Sequence, residues 1–436
     1  PHAQALAGVE GASVGSAVKA LMKIAIIGAG WAGMAAAVQA TKNGHTAIVF
    51  EASRTIGGRA RALNATLPNG TAVTLDNGQH ILIGAYTDSL KLMAEVGVRE
   101  QDALLRLPMA LRFPEGQGIT FPRWPTPLDA LAGIVTAKGW TLGDKASLLR
   151  VATAWQFSRF TCVPSLSVAA LCAGLSARVM AELIEPLCVS ALNTPAEHAS
   201  AQVFLRVMKD ALFGVQGGSH LLLPTVDLSA MFPAAAAQWL QTRGGQVHLG
   251  HRVSAITPQG SQWGIDEHLF DAVILATASS NASLILKPTA KGAPEEWGQR
   301  LNDWAAVADL LQFESIATVY AWAPTARLSH PMLTLRHSGD VNCPAPAQFV
   351  FDRGQLGGPT GLMAFVISAS SGDRHTLQSQ VIQQAHTQLG LTLQAVTTVV
   401  EKRATFACTP GLQRPAMRIA PHLLACGDYV EGPYPA

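Results

Sequence analysis

The 436-residue sequence predicts an α/β fold, and three observations predict it. Lys23-Ile24-Ala25-Ile26-Ile27 is a short, nearly all-apolar run that ends directly on Gly28-Ala29-Gly30-Trp31-Ala32-Gly33. That glycine cluster opens an alanine-rich stretch, and a second apolar run from Thr46 to Phe50 completes the unit. Charged residues are only 14% of the chain and hydrophobic residues 49%, against roughly 25% charged in an ordinary soluble domain. Such a chain cannot stay open, and its length suits two closely packed domains.

Each piece of the first unit has a physical reason. An apolar run of five residues is expected of a parallel strand buried on both faces. Gly28 permits the tight turn, Gly30 lets the backbone approach a pyrophosphate, and Gly33 lets helix and strand pack closely. Met34 to Ala40 is rich in helix formers, and Asn43-Gly44 stops the helix. The free N–H groups and dipole at the helix start favour phosphate. Glu51 stands 23 positions after Gly28, at the end of the second strand. There it can accept hydrogen bonds from a ribose 2′-OH and would repel a 2′-phosphate. A lone glycine motif is weak; strand, helix and acid in register make a dinucleotide site.

Five further pieces follow in order. Gly57-Gly58-Arg59-Ala60-Arg61 is a second glycine pair, which a plain NAD site does not need. Leu75-Asp76-Asn77-Gly78-Gln79-His80, Gly244 to Val253, Phe270 to Thr277 and Leu423 to Asp428 are apolar runs with polar or glycine ends. Together they resemble the flavin amine oxidase and phytoene desaturase superfamily. The resemblance implies a GG-doublet, Rossmann-type FAD-binding domain with an interleaved α+β substrate domain. It implies that the Gly57-Gly58 loop closes over the FAD pyrophosphate and that the Asn77–His80 stretch passes close to the flavin ring. It implies a strand pair in Gly244–Val253 that frames the adenine, and an acid, Asp428, that bonds the ribityl chain. The cofactor contacts it assigns are Gly28, Gly30, Trp31, Ala32, Gly33, Glu51, Gly57, Gly58, Arg59, Gln79, Val253, Gly427 and Asp428. The FAD domain is expected over 22–85, 205–285 and 400–436, and the substrate domain over 86–204 and 286–399.

Within the first substrate block, Leu128, Leu131, Ile134 and Val135 recur at helical spacing, as do Leu148, Leu149, Ala152 and Trp155. Trp140, Thr141 and Gly143 read as a break between two helices. Stripes of this kind are read as core. Phe113-Pro114 through Pro122-Arg123-Trp124-Pro125 mixes proline, aromatic and cationic residues and reads as a surface loop, its composition also suiting a membrane–water boundary. Ala234 to Ala237 fits a helix. Ser315 to Ile367 alternates β-rich apolar runs with glycine turns and reads as a sheet forming one wall of the pocket.

Other classes are excluded. With 31 Lys+Arg against 29 Asp+Glu, net charge +2, the chain has no concentrated positive field for nucleic acid. A membrane span needs about 18 or more mostly apolar residues. The stretch His375 to Val400 is uncharged but holds six glutamines and two histidines, so no span is expected. The six cysteines, at 162, 172, 188, 343, 408 and 426, lie far apart and form neither a disulfide framework nor a metal site. Residues 1–21 do not read as a secretory signal and are expected to be an extension before Met22.

Longer stretches narrow the resemblance. Glu185-Pro186-Leu187-Cys188-Val189-Ser190-Ala191-Leu192-Asn193-Thr194-Pro195, Ala201 to Leu205, Leu221 to Pro224 with Asp227 to Ser229, Phe349 to Gly354 and Glu401 to Phe406 resemble the hydroxysqualene dehydroxylases. That resemblance implies reduction of hydroxysqualene to squalene by reduced FAD, on a bacterial route to hopanoids. The hydroxyl is allylic, so its loss leaves a delocalised cation that a hydride can quench. Hydroxide leaves poorly, so a general acid is required. Glu185, Asp227 and His80 are candidates, with His80 and Glu185 preferred; the bland alternatives are a helix cap or arginine partner for Glu185 and a structural role for His80. In the family the chain runs past Tyr434-Pro435-Ala436 into a helix aimed at the flavin, so this chain is expected to be cut short. The nearest rival is a phytoene-type desaturase working in the oxidative direction. A rival of another class is a non-catalytic prenyl-binding protein like the Rab GDP-dissociation inhibitors, which the intact glycines, Glu51 and Asp428 argue against. The single nucleotide motif gives no NADPH site and no identity for the external electron donor. A cytoplasmic location is expected, with peripheral contact at the inner face of the membrane.

Overall fold

A computed structural model describes residues 21–339 and 344–431. The expected extension before Met22, Cys343 and the Tyr434–Ala436 end therefore lie outside the described residues, Leu21 excepted. At the centre is a six-stranded sheet in the order Gln246–Leu249, Thr46–Glu51, Lys23–Ile27, Ala272–Leu275, Leu423–Ala425, Arg418–Ala420. The first five strands run parallel, and the last returns antiparallel to its neighbour. One sheet thus gathers strands from near the beginning, the middle and near the end of the sequence.

The alternation of a strand explains why Lys23–Ile27 is apolar throughout. Ile24 and Ile26 point into one cluster, with Met34 and Ala37 of the helix Trp31–Lys42 and Ala236 and Leu240 of the helix Pro233–Gln241. Ala25 and Ile27 point the other way, into a cluster with Ile285, Leu286, Leu301 and Trp304 from the helices Ser279–Gly292 and Glu295–Asp309. Both faces are covered, so neither side chain of the pleat can be polar.

A second sheet of five antiparallel strands has the order Met332–Thr334, Phe349–Asp352, Leu362–Ile367, Phe313–Trp322, Gln394–Phe406. Its alternation sorts two surfaces. Ala317, Val319, Ala321 and Val350 pack beneath the helix Arg374–Leu389 with Leu377 and Val381. Tyr320, Trp322, Phe349 and Phe351 face the other way, toward a core shared with the helical block between residues 128 and 213. In that block the break at Trp140–Gly143 is real. The helix Leu128–Thr136 ends, and Thr141 caps Leu142–Phe157 through a reciprocal box with Asp144.

Three expectations need correction. Gly244–Val253 forms one strand rather than a pair: after Leu249 the chain turns along the end of Thr46–Glu51, with Gly250 N bonded to Ser53 O and His251 N to Glu51 O, each at 2.8 Å. The Phe113–Trp124 stretch is not simply a surface loop. Ala110–Arg112 and Gly118–Thr120 pair as a hairpin, Phe113 and Phe121 are buried, and Arg336 stacks on the Phe113 ring at 3.8 Å. The stripe Leu128, Leu131, Val135 is not core, because all three side chains are about half exposed. Among the described residues no helix is long and apolar enough to cross a membrane.

Candidate functional site

The first turn is shaped by contacts that only glycine tolerates. Gly28 sits at φ +114°, and a Cβ there would lie 2.6 Å from Ala276 O. A Cβ on Gly33 would lie 1.9 Å from Gly28 O, inside its van der Waals shell. Gly30 differs: its φ is −75°, and a Cβ would meet nothing nearer than Gly58 Cα at 3.8 Å. Packing within the chain therefore explains Gly28 and Gly33 but leaves Gly30 a bare backbone beside open space. Gly57 and Gly58, both at positive φ, bring the second loop against the first, with Gly57 N bonded to Ala29 O at 3.0 Å.

The helix Trp31–Lys42 starts at Gly30 with no side-chain cap and no acid in its first turn, so the N–H groups of Trp31, Ala32 and Gly33 are not capped by a side chain. The buried Trp31 Nε1 has no hydrogen-bond partner, and its ring packs on Phe232 at 5.2 Å. Glu51 is fixed by two backbone donors, Ala29 N to Oε2 and Ser53 N to Oε1, both at 2.8 Å. Each carboxylate oxygen keeps a lone pair for a ribose hydroxyl. At the far end of the sheet, Gly427 (φ +154°) precedes Asp428, whose Oδ1 accepts from Arg59 Nη2 at 2.7 Å. Arg59 also donates to Ala404 O at 2.5 Å, so the doublet loop, the terminal strand and the antiparallel sheet meet on one guanidinium. Burial works against the Arg59 charge, but Asp428 outweighs it and raises the pKa. Val253 is buried in the same cluster as Phe50, at the edge of the parallel sheet. A cradle of bare backbone, an uncapped helix start and an orphaned indole N–H together fit the diphosphate and ribose of FAD.

Beside Arg59 opens an apolar cavity of about 650 Å³, within the usual size for a small-molecule site. Its walls come from the Asn77–His80 segment, the helices Leu128–Thr136, Leu142–Phe157, Glu185–Leu192 and Ala201–Phe213, and the sheet face bearing Ile316, Phe349, Phe351 and Val366. Among its polar lining residues are Arg59, Asn77, Gln79, His80, Asn193, Glu401 and Thr405, with Thr153, Gln156, Ser190, Ser219 and Ser368 elsewhere in the wall. A more open groove of about 890 Å³, of mixed lining, lies between Trp304 and Arg414 and shares none of the glycine-loop residues.

The sequence candidates for the acid separate here. His80 is on the cavity wall with Nδ1 2.8 Å from Gly78 O. A carbonyl only accepts, so Nδ1 carries the proton and Nε2 is left free to accept. Enclosure by the cavity walls, into which the exposed ring opens, pushes the imidazole below its usual pKa; the Gly78 bond opposes this and the Arg59 charge adds to it. From the helical stretch around Glu185 the cavity takes Leu183, Ile184, Leu187 and Ala191, and not Glu185 itself. Glu185 is exposed in the first turn of its helix and caps nothing; partial desolvation and Glu197 raise its pKa. Asp227 is the cap of the helix Leu228–Met231, accepting from Ala230 N at 2.9 Å. Gln79 is buried, accepting from Arg353 at 3.3 Å and donating to His80 O at 3.2 Å.

Sequence reasoning missed Glu401 and Asn193. Glu401 reaches the cavity because its strand pairs with Phe313–Trp322, opposite Ile316. Asn193, at φ +48°, accepts from Ala369 N at 2.7 Å and donates to Thr405 at 3.1 Å, tying the helix Glu185–Leu192 to the sheet. Beneath His80, the Asp76 carboxyl is pushed up to about 6 by burial, with the Leu228 N–H bond and Arg353 opposing. A carboxyl raised in the folded state stabilises fully below its unfolded pKa and loses that contribution as pH rises through about 6. Asp76→Asn keeps the acceptor for Leu228 N, and is expected to flatten the fall in melting temperature between pH 4 and 7.

An FAD-type dinucleotide cradle opening onto an oily cavity defines a flavoprotein of the α/β oxidoreductase class. The profile of flavin containing amine oxidoreductases matches residues 31–407, and the chain belongs to that family. FAD is its cofactor, and the family is one of FAD-dependent oxidoreductases. The chain is 26% identical over 295 residues to a hydroxysqualene dehydroxylase of Rhodopseudomonas palustris, covering 64% of this chain and 66% of that one. It is 26% identical over 275 residues to a hydroxysqualene dehydroxylase of Sinorhizobium fredii, covering 60% and 63%. The chain thus spans less than two thirds of these curated relatives. Among solved structures it resembles an oxidoreductase from Methanosarcina mazei (TM-score 0.69, 17% identity, 94% and 96% covered). Cyclohexylamine oxidase from Brevibacterium oxydans is similar in the same way (TM-score 0.64, 14% identity, 94% and 93% covered).

Proposed function

We propose that the protein reductively dehydroxylates hydroxysqualene to squalene. The observation that carries this reading is one continuous apolar cavity that reaches Arg59 of the cofactor loop at its polar end. The curated relatives bearing the dehydroxylase name support it, as does the size of the cavity. We assign 86–204 and 286–399 to substrate binding, since most of the apolar wall comes from them.

The glycine loops, Glu51 and Asp428 would hold FAD, whose reduced form would supply hydride chemistry. The chain supplies the rest. Ile81, Leu221, Phe349, Phe351 and Val366 are apolar walls that exclude water and take up the C30 hydrocarbon. His80, protonated at Nε2, gives its proton to the hydroxyl oxygen as the allylic C–O bond breaks, so that water departs rather than hydroxide. The balance is allylic alcohol plus hydride plus proton to allylic C–H plus water. Delocalisation over the allylic π-system stabilises the positive charge, and the apolar walls keep water from recapturing it before it is quenched.

Product analysis after incubating hydroxysqualene with the chemically reduced FAD enzyme tests the reading. Squalene is expected; no squalene, together with conversion of phytoene by the oxidised enzyme, would overturn it in favour of a desaturase. Because Glu185 is off the cavity wall, Glu185→Gln is expected to leave the single-turnover rate within about twofold of wild type, as surface changes away from a site usually do.

A further inference from the structure

The face of the protein around residues 121–163 carries unpaired apolar surface of a kind a free soluble surface seldom shows. Leu142 and Phe157, at the two ends of one helix, are 85% and 86% exposed, and Trp124, Val135 and Val163 are more than half exposed. These side chains are not scattered. Leu128, Leu131 and Val135 share one stripe of the helix Leu128–Thr136, and Leu128 and Leu131 also line the cavity while Val135 does not. The stripe therefore runs from the cavity outward across its rim. Lys145 Nζ, bonded to Val135 O at 2.7 Å, holds the start of the helix Leu142–Phe157 against that rim. On the opposite side, Phe160 and Phe213 both line the cavity, and their rings lie 5.2 Å apart.

Within the segment Phe121–Val163 the exposed charges have one sign, and the adjoining helix end at Phe213 carries the internally neutralised pair Arg206–Asp210. From Phe121 to Val163 the cations are Arg123, Lys138, Lys145, Arg150 and Arg159, and the only acids are Asp129 and Asp144. Both acids are buried, Asp129 under its own helix start and Asp144 in the capping box. What this segment turns outward is thus apolar side chains accompanied by positive charge, in a chain whose net charge is only +2. Apolar groups of this size are excluded by water and taken up by the acyl boundary of a bilayer, while lysine and arginine meet anionic headgroups.

We propose that this face docks on an anionic lipid bilayer and that the cavity opens into the bilayer through the rim at Leu128, Leu131 and Phe213. A water-insoluble substrate then enters from the acyl layer without crossing water. This deepens the reading of the cavity as a lipid-substrate site and rests on it for the purpose of docking, though not for its physical basis.

The test uses the FAD-loaded protein and sucrose-loaded vesicles, either equimolar phosphatidylcholine and phosphatidylglycerol or pure phosphatidylcholine. Wild type is expected to sediment with the anionic vesicles and much less with the neutral ones. Leu142→Ser/Phe157→Ser, which alters only exposed side chains, is expected to keep its FAD absorbance and melting temperature and to bind about tenfold or more weakly. Lys138→Glu/Arg159→Glu is expected to lose the preference for anionic lipid. Wild type that stays in the supernatant, equal binding to both vesicles, or undiminished binding by the serine variant would overturn the proposal. So would a wild-type dimer in analytical ultracentrifugation that the serine variant converts to monomer, since the face would then belong to a second copy. Turnover of detergent-dispersed hydroxysqualene, followed in parallel, separates the two readings. Vesicle binding without turnover supports the docking face and faults the substrate; turnover without vesicle binding faults the docking face alone.

Discussion

Gly33→Ala is expected to yield a protein that melts well below wild type and purifies without FAD, whereas Gly30→Ala melts like the wild-type apoprotein and still fails to hold FAD tightly. The two glycines sit three residues apart in one motif, and the structure gives them different reasons. A methyl on Gly33 would stand 1.9 Å from Gly28 O, and backbone on both sides cannot yield without prying the helix Trp31–Lys42 from the sheet. Overpacking of that severity costs about 3 kcal/mol or more. A methyl on Gly30 would meet only Gly58 Cα at 3.8 Å, an ordinary contact, so the fold is indifferent to it. It would instead occupy the open space between the two glycine loops, beside the uncapped helix start where a diphosphate would lie. Displacing a diphosphate there by a methyl is expected to cost about 1–3 kcal/mol of binding, or roughly 5- to 150-fold in affinity. Thermal melts with and without added FAD, and titration of the apoprotein by flavin fluorescence, separate the two effects. A Gly30→Ala protein that binds FAD as wild type does would mean that the cradle holds something else.

The contrast shows what was legible in the sequence. Glycine motifs announce themselves because their cause is local: a positive φ at Gly28, Gly57 and Gly58, and for Gly28 a helix that starts three residues later, at Trp31. The apolar strand Lys23–Ile27 was legible for the same reason, since burial on both faces removes the alternation. Arg59 and Asp428 were each visible as motif residues, but only the fold joins them across 369 positions. The helix stripe Leu128, Leu131, Val135 was misread as core because periodicity reports that one face is apolar and says nothing of what covers it. Phe113 was misassigned for a related reason: its covering group, Arg336, arrives from a distant strand end. The carboxylates are the hardest case. Glu185 and Glu401 are chemically the same, and whether either reaches the cavity depends on helix rotation or on a strand register set by partners far away.

His80→Gln is expected to slow single-turnover oxidation of the reduced flavin by hydroxysqualene about 10²- to 10⁴-fold, the usual worth of a positioned general acid. Flavin absorbance and substrate affinity should change little, because glutamine fills the same wall and no cradle contact is removed. The pH profile carries the sharper test. Enclosure in the cavity lowers the His80 pKa, with Arg59 adding to the effect, so at neutrality the ring is mostly neutral, with its one proton on Nδ1 facing Gly78 O. Only the minority imidazolium has a proton at Nε2 to give. The wild-type rate should therefore rise as pH falls below the ordinary histidine range near 6.5, and His80→Gln should abolish that rise. The same lowered pKa works against the fold in acid. An unfolded chain binds the proton more readily, so the contribution of His80 to stability is present above the unfolded pKa and is lost as pH falls from there through the lower folded pKa. Rates must accordingly be read where melting curves show the protein still folded. A wild-type rate that is flat or declining as pH falls across that window, or a His80→Gln protein that turns over normally, would remove the imidazole from proton transfer and shift attention to Glu401, the carboxyl that the cavity does contain.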